Sequence, residues 1–69
     1  MPKNTLDRLN VCASRLGETP YPYPGHLALN YLEKKVGIST DYFMPWWEDR
    51  PVEQFVGARL ARLEQRLGI

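Results

Sequence analysis

Cys12 and His26 are the side chains best suited to nucleophilic or metal chemistry, and each residue type occurs once in the sequence. A thiol and an imidazole can act as nucleophile and base, but that pairing needs a reactive thiol and a third group that orients the ring. Cys12 instead shares one helical face with Leu6, Leu9, Ala13 and Leu16, so it reads as a small buried hydrophobe. His26 has no second histidine or nearby cysteine in sequence and reads as a surface or helix-capping residue. One cysteine and one histidine are too few for a zinc site of four Cys/His ligands, and a lone cysteine excludes an intrachain disulfide. No glycine-rich phosphate loop or calcium spacing occurs. Glu48-Asp49 reads as charge at a helix N-terminus rather than an acid–base pair. The expectation is a protein that is not an enzyme, with no cofactor, no metal and no small-molecule substrate.

The chemistry that remains is recognition. Tyr42-Phe43-Met44-Pro45-Trp46-Trp47 is an unbroken apolar or aromatic run that holds both tryptophans. Each aromatic ring can remove roughly 150–250 Å² from water, so the run is either the plug of a small core or a contact surface. Interfaces favour Trp, Tyr, Phe, Met and Arg, all present between Tyr42 and Arg66. Tyr42, Met44, Trp46 and Trp47, with Tyr31, are the candidate partner-binding residues, whereas Phe43 and one tryptophan are assigned to the core. Trp46 and Trp47 are expected to divide, one packing under the last helix and the other facing outward.

These residues must be positioned by helices, since no strand-like alternation and no internal repeat appears. Residues 5–16 form a predicted helix capped by Asn4 or Thr5 and stopped by Gly17. Residues 18–24 alternate prolines with Thr19, Tyr21 and Tyr23, which predicts a stiff extended connector packed by its own tyrosines. Residues 25–36 form a second helix ending at Gly37, with one apolar stripe of Ala28, Leu29, Leu32 and Val36 and another of Leu27 and Tyr31. Ser39 should cap a short helical turn over 39–44, which Pro45 ends. A last helix over 51–67 starts with Pro51 in its first turn. Its residues Val52, Val56, Leu60, Leu63 and Leu67, with Phe55 beside them, make a nearly coiled-coil seam, and Gly57 is a point for close helix approach. Leu16-Gly17, Val36-Gly37 and Leu67-Gly68 repeat one stop, with Ile38 and Ile69 in the hydrophobic place after the glycine. The fold class is all-α: one small domain over 1–69, a bundle of three main helices plus a short helical turn and a proline-rich connector.

At 69 residues the chain sits below the roughly 70–80 residues at which one core suffices comfortably, which favours oligomerisation. Val56, Leu60, Leu63 and Leu67 are the expected homodimer interface. The net charge of +1 conceals basic ends around an acidic middle, −3 over residues 36–53, unlike the strongly basic footprint of a typical nucleic-acid binder. Arg59, Arg62 and Arg66 nevertheless lie near one face of the last helix, where they are candidate phosphate contacts. No apolar run spans a membrane and no signal peptide opens the chain, so the protein is expected to be cytoplasmic.

From Pro24 to Phe43 the chain resembles part of a phage repressor/Cro-type helix-turn-helix domain. That family places a proline, a helix of leucine and isoleucine positions, Leu-Gly-Val-Ser, and an Asp-Tyr-Phe or Asp-Trp-Leu end. Pro24, Leu29, Leu32, Val36, Gly37, Ile38, Ser39, Asp41, Tyr42 and Phe43 occupy those places. The resemblance implies a capped helix, a glycine stop and a short aromatic-ended helix. The family's DNA-reading pair precedes this segment and needs more chain than residues 1–23 supply, so no DNA-contacting residue carries over. Read one step on, a helix-turn-helix at 29–46 puts Pro45 inside the recognition helix and Asp41 against phosphates, both poor for groove reading. Two functions follow as expectations. The first is a small regulatory protein that binds another protein, a phage- or mobile-element-type modulator or inhibitor, acting as a homodimer. The alternative is a small helix-turn-helix-like DNA-binding transcription regulator.

Overall fold

The computed structural model describes residues 4–69, and among them the chain is all-α: α1 (Thr5–Arg15), α2 (His26–Lys35), a 3₁₀ turn at Pro45–Trp47 and α3 (Val56–Leu67). Asn4 caps α1 by accepting the Asp7 amide at 2.8 Å, which also places Asp7 at the positive end of the helix. All three helices end alike. Gly17, Gly37 and Gly68 turn left-handed at φ 76°, 84° and 72°, and the residue after each donates its amide back to Ala13, Glu33 and Glu64. That is the Schellman ending predicted from the three glycine stops, which only glycine adopts without strain. Ile38 is buried after its glycine as expected, whereas Ile69 is half exposed.

The core is drawn from every helix: Leu9, Cys12 and Ala13 from α1, Ala28, Leu29 and Leu32 from α2, Leu60 and Leu63 from α3. Val52 joins them from outside any helix. Leu60 and Leu63 have no exposed surface, and Val56 and Leu67 pack partly buried against the same cluster. The seam expected to form a homodimer is therefore filled by α1 and α2 of the same chain. A dimer through it would have to open the core. Gly57 does not mark a close helix approach either, since an added side chain would first meet the Arg8 guanidinium at an ordinary 3.8 Å.

Two segments depart from the helical expectation. Residues 39–44 form no helix: Ser39 Oγ receives only a long 3.5 Å bond from the Asp41 amide, and a single turn closes from Phe43 to Thr40. The short helical turn forms instead at Pro45–Trp47, where proline's fixed φ starts it. The last helix begins at Val56 rather than 51. Pro51 and Val52 are drawn instead into an isolated bridge against the start of α2. Gly25 and Pro51 pair antiparallel, the His26 amide donates to Arg50 O, and the Val52 amide donates to Pro24 O. Two main-chain bonds and the burial of Val52 outweigh the turn of helix that Pro51 could have started. Glycine at this crossing lets the Asp49 and Tyr23 side chains close over it, since a Cβ there would lie 2.5 Å from Asp49 Oδ1 and displace them.

The proline-rich connector runs without regular structure but is clamped at both ends. Asn10 on α1 accepts the Tyr21 amide at 2.8 Å and donates to Tyr21 O at 3.1 Å. The Tyr23 hydroxyl donates to Asp49.

Candidate functional site

The 3₁₀ turn divides the two tryptophans. Trp47 is half-buried at the centre of a ring cluster, stacked on His26 at 4.2 Å and 26°, with Phe43 edge-on at 5.6 Å and Trp46 edge-on at 6.1 Å. Trp46 points outward and is 66% exposed. The expected division is present, but Trp47 packs on the first residue of α2 rather than under the last helix.

Beside this cluster lies a groove of about 660 Å³, within the usual range for a built binding site. Tyr42, Trp46 and Trp47 line it together with Pro51, Gln54 and Phe55, with Arg50, Glu53, Arg59 and His26 among them. Phe55 is the feature that periodicity missed. Read as a residue of a continuous helix from 51, it belonged beside the core seam. With α3 starting one residue later it stands 78% exposed. Its backbone is left-handed at φ 58°, and Glu48, at the end of the 3₁₀ turn, is also positive at φ 51°. Such conformations cost a non-glycine residue on the order of 1–3 kcal/mol and collect at functional sites. The two strained residues bracket the segment that brings Arg50, Pro51, Glu53 and Gln54 to the groove.

The groove floor is held by a charged network between three elements. Glu33 of α2 is 1% exposed. Arg59 of α3 grips it through Nε at 3.2 Å and Nη2 at 2.8 Å, and the Tyr42 hydroxyl donates to the same carboxylate. The Arg59 guanidinium also lies over the Tyr42 ring, 5.1 Å from its centre. Burial, then the hydrogen bond to Glu33, pushes the Tyr42 hydroxyl up to about 12. Burial works against the charge of Arg59, but the bonds and charge of Glu33 more than offset it and raise the guanidinium above its usual value. His26 is affected in the opposite sense. Burial and then the Arg59 charge lower its imidazole, against a smaller opposing pull from Asp49. Its Nδ1 is buried with no hydrogen-bond partner.

The other expected residues scatter. Met44 is exposed beyond the groove lining, and Tyr31 is exposed on α2. The Tyr31 hydroxyl donates to Glu18 at 3.0 Å, and the ring lines a separate shallow surface with Tyr21, Tyr23 and Leu27. Of the three candidate phosphate contacts, Arg59 is spent on Glu33, and Arg66 donates to Val36 O at 3.3 Å, finishing α2. Only Arg62 is exposed without such a contact to α2. Cys12 lies in the core, where burial pushes its thiol up and away from the thiolate form. Among the described residues, no group of three or more His, Cys, Asp or Glu side chains could hold a metal ion, and no helix is long and apolar enough to cross a membrane.

What fold and site define is a small all-α protein whose main surface feature is an aromatic groove beside a buried ion pair. No family model matches the chain, and no curated protein or solved structure matches it either.

Proposed function

We propose that this protein is a small regulator that acts by binding another protein, a modulator or inhibitor of the phage or mobile-element kind, with the Trp46–Phe55 groove as its docking surface. The observation that carries this reading is the pair of large aromatics left outside the core in the lining of one groove, Trp46 at 66% and Phe55 at 78% exposure. Two such rings cost solubility if they meet nothing, and Phe55 is held out by a strained backbone. Each is suited to be an anchor on an apolar segment of a partner protein, while Arg50, Glu53 and Gln54 supply a polar rim. The floor beneath is fixed in advance by Glu33, Tyr42 and Arg59, which lowers the ordering cost of docking.

Affinity capture with the intact chain tests the reading. A partner recovered by the wild type should be lost with Trp46→Ala and with Phe55→Ala, but retained with Arg62→Ala, since Arg62 lies outside the groove. Duplex DNA binding that weakens steeply with salt, unaffected by either aromatic substitution and lost with Arg62→Ala, would overturn it in favour of nucleic-acid recognition.

A further inference from the structure

We infer that His26 is an acid-operated latch: its protonation breaks the stack on Trp47 and loosens the wall of the groove built on that tryptophan. The geometry that carries this is specific to one ring. His26 is the first residue of α2 and the only ionisable imidazole in an otherwise aromatic cluster, stacked at 4.2 Å on the residue at its centre. Its Nδ1 is buried and has no acceptor within the chain. The neutral ring can leave that nitrogen unprotonated and carry its proton on Nε2. The imidazolium cannot, because both nitrogens must then donate, and one would donate into apolar surroundings.

The charges around the ring tip the balance the same way. From α3, Arg59 faces it as a cation. From its own helix, the N-terminal end of the helix dipole presents positive potential, and Glu33 further along is already claimed by Arg59 and Tyr42. From the segment after the 3₁₀ turn, Asp49 pulls toward protonation, but its carboxylate is engaged by Tyr23. Arg50 and Glu53 line the same groove with opposite signs. The Trp47 face would attract an imidazolium, but that attraction is one favourable contact against a buried donor with no acceptor. The depressed imidazole fits this balance. The ordinary value of 6.5 applies once the ring is released, so the opened form takes up the proton first as pH falls. The latch is fully closed above pH 6.5 and loosens as pH drops from there through the lower folded-state value.

The consequence for docking rests on the groove being the interaction surface, but the latch itself is read on the free chain, so the two can fail separately. The experiment is a proton NMR titration of the intact protein that follows the His26 ring signals, in the wild type and in Trp47→Leu. In the wild type the ring signals should sit upfield in the closed state from the Trp47 ring current, titrate with a midpoint below 6.5, and return to free-imidazolium positions at the acid end. Trp47→Leu should lose the upfield displacement and move the midpoint toward 6.5. Backbone amide signals of α1, remote from the ring, should remain dispersed throughout, separating latch opening from global unfolding. A midpoint at or above 6.5 in the wild type, or an upfield displacement retained after protonation, would overturn the inference. A titration identical in Trp47→Leu would overturn it as well.

Discussion

Replacing Arg59 by methionine tests the charged network that fixes the groove floor. The substitution keeps an unbranched stem of similar length but removes both charge-assisted bonds to Glu33. The carboxylate left behind is 1% exposed and retains only the Tyr42 hydroxyl. Removing one partner of a buried ion pair costs about 3–5 kcal/mol, because the other charge stays desolvated. The surviving tyrosine bond places Arg59→Met at the low end of that range. The control is Arg8→Met. Arg8 meets Glu64 at a similar 2.7 Å, but those side chains are 27% and 23% exposed. Water reaches both of those side chains, so although Arg8 holds Glu64 through two nitrogens, Glu64 can be rehydrated when the pair is broken and its loss should cost about 1 kcal/mol. With a urea slope of about 1 kcal/mol/M for a chain this small, the midpoint by circular dichroism should fall by about 3 M for Arg59→Met and by no more than about 1 M for Arg8→Met. A third variant fixes the cause. Glu33→Leu combined with Arg59→Met exchanges the pair for apolar contacts and should recover most of the loss, since Tyr42 is exposed enough for its hydroxyl to turn to water. Equal shifts for Arg59→Met and Arg8→Met would refute the reasoning, as would a double variant no more stable than the single one.

Phe55→Asn should raise the melting temperature by several degrees, corresponding to about 1 kcal/mol, because asparagine tolerates the left-handed backbone. The same variant should lose partner capture, and a melting temperature that falls would refute the strain argument. Leu63→Glu should unfold the chain rather than merely separate subunits, since Leu63 is fully buried within it. A folded monomer by circular dichroism and sedimentation would contradict that placement. Stability measured by urea melts should decline as pH rises from the ordinary tyrosine value of 10 to about 12, the value for Tyr42. In that window the unfolded chain has released the phenolic proton and the folded chain still holds it. A flat profile there in the wild type, or the same decline in Tyr42→Phe, would refute the assignment to the Tyr42 hydroxyl, raised by burial and then by its bond to Glu33.

The helix ends were legible because they are local. Leu-Gly and Val-Gly stops encode a left-handed residue wherever they lie, and Asn4 needs only the next three residues to act as a cap. The apolar faces of α1 and α2 were legible for the same reason. The last helix was not, over its first turn. Pro51, Val52 and Phe55 carry a helical spacing, but Val52 is buried by a strand-like crossing with Pro24–His26, a contact between segments 26 residues apart that no local pattern reveals. That one non-local pairing moves Phe55 from the expected seam to the surface and creates half of the groove. It also explains why His26 was read as a surface residue. The ring's partner is Trp47, and only the crossing brings it there. The arginine face misled for a related reason. Arg59 and Arg66 do lie near one line on α3, but that line faces α2, where a buried carboxylate and a helix end consume them.

The same contacts tie the proposed docking surface to the stability of the fold. Glu33 is a core residue by burial, yet the two side chains that neutralise it, Tyr42 and Arg59, both line the groove. A partner that seated against those side chains without displacing them would leave Glu33 satisfied and would stabilise the protein by mass action on the folded state. A partner that pulled either one outward would have to meet the cost of a stranded buried carboxylate. The groove is therefore rigid along the Tyr42–Arg59 floor and compliant along Trp46 and Phe55, where no hydrogen bond holds the rings. Specificity should reside in the shape of the floor, while the exposed rings supply affinity to whatever apolar segment matches it.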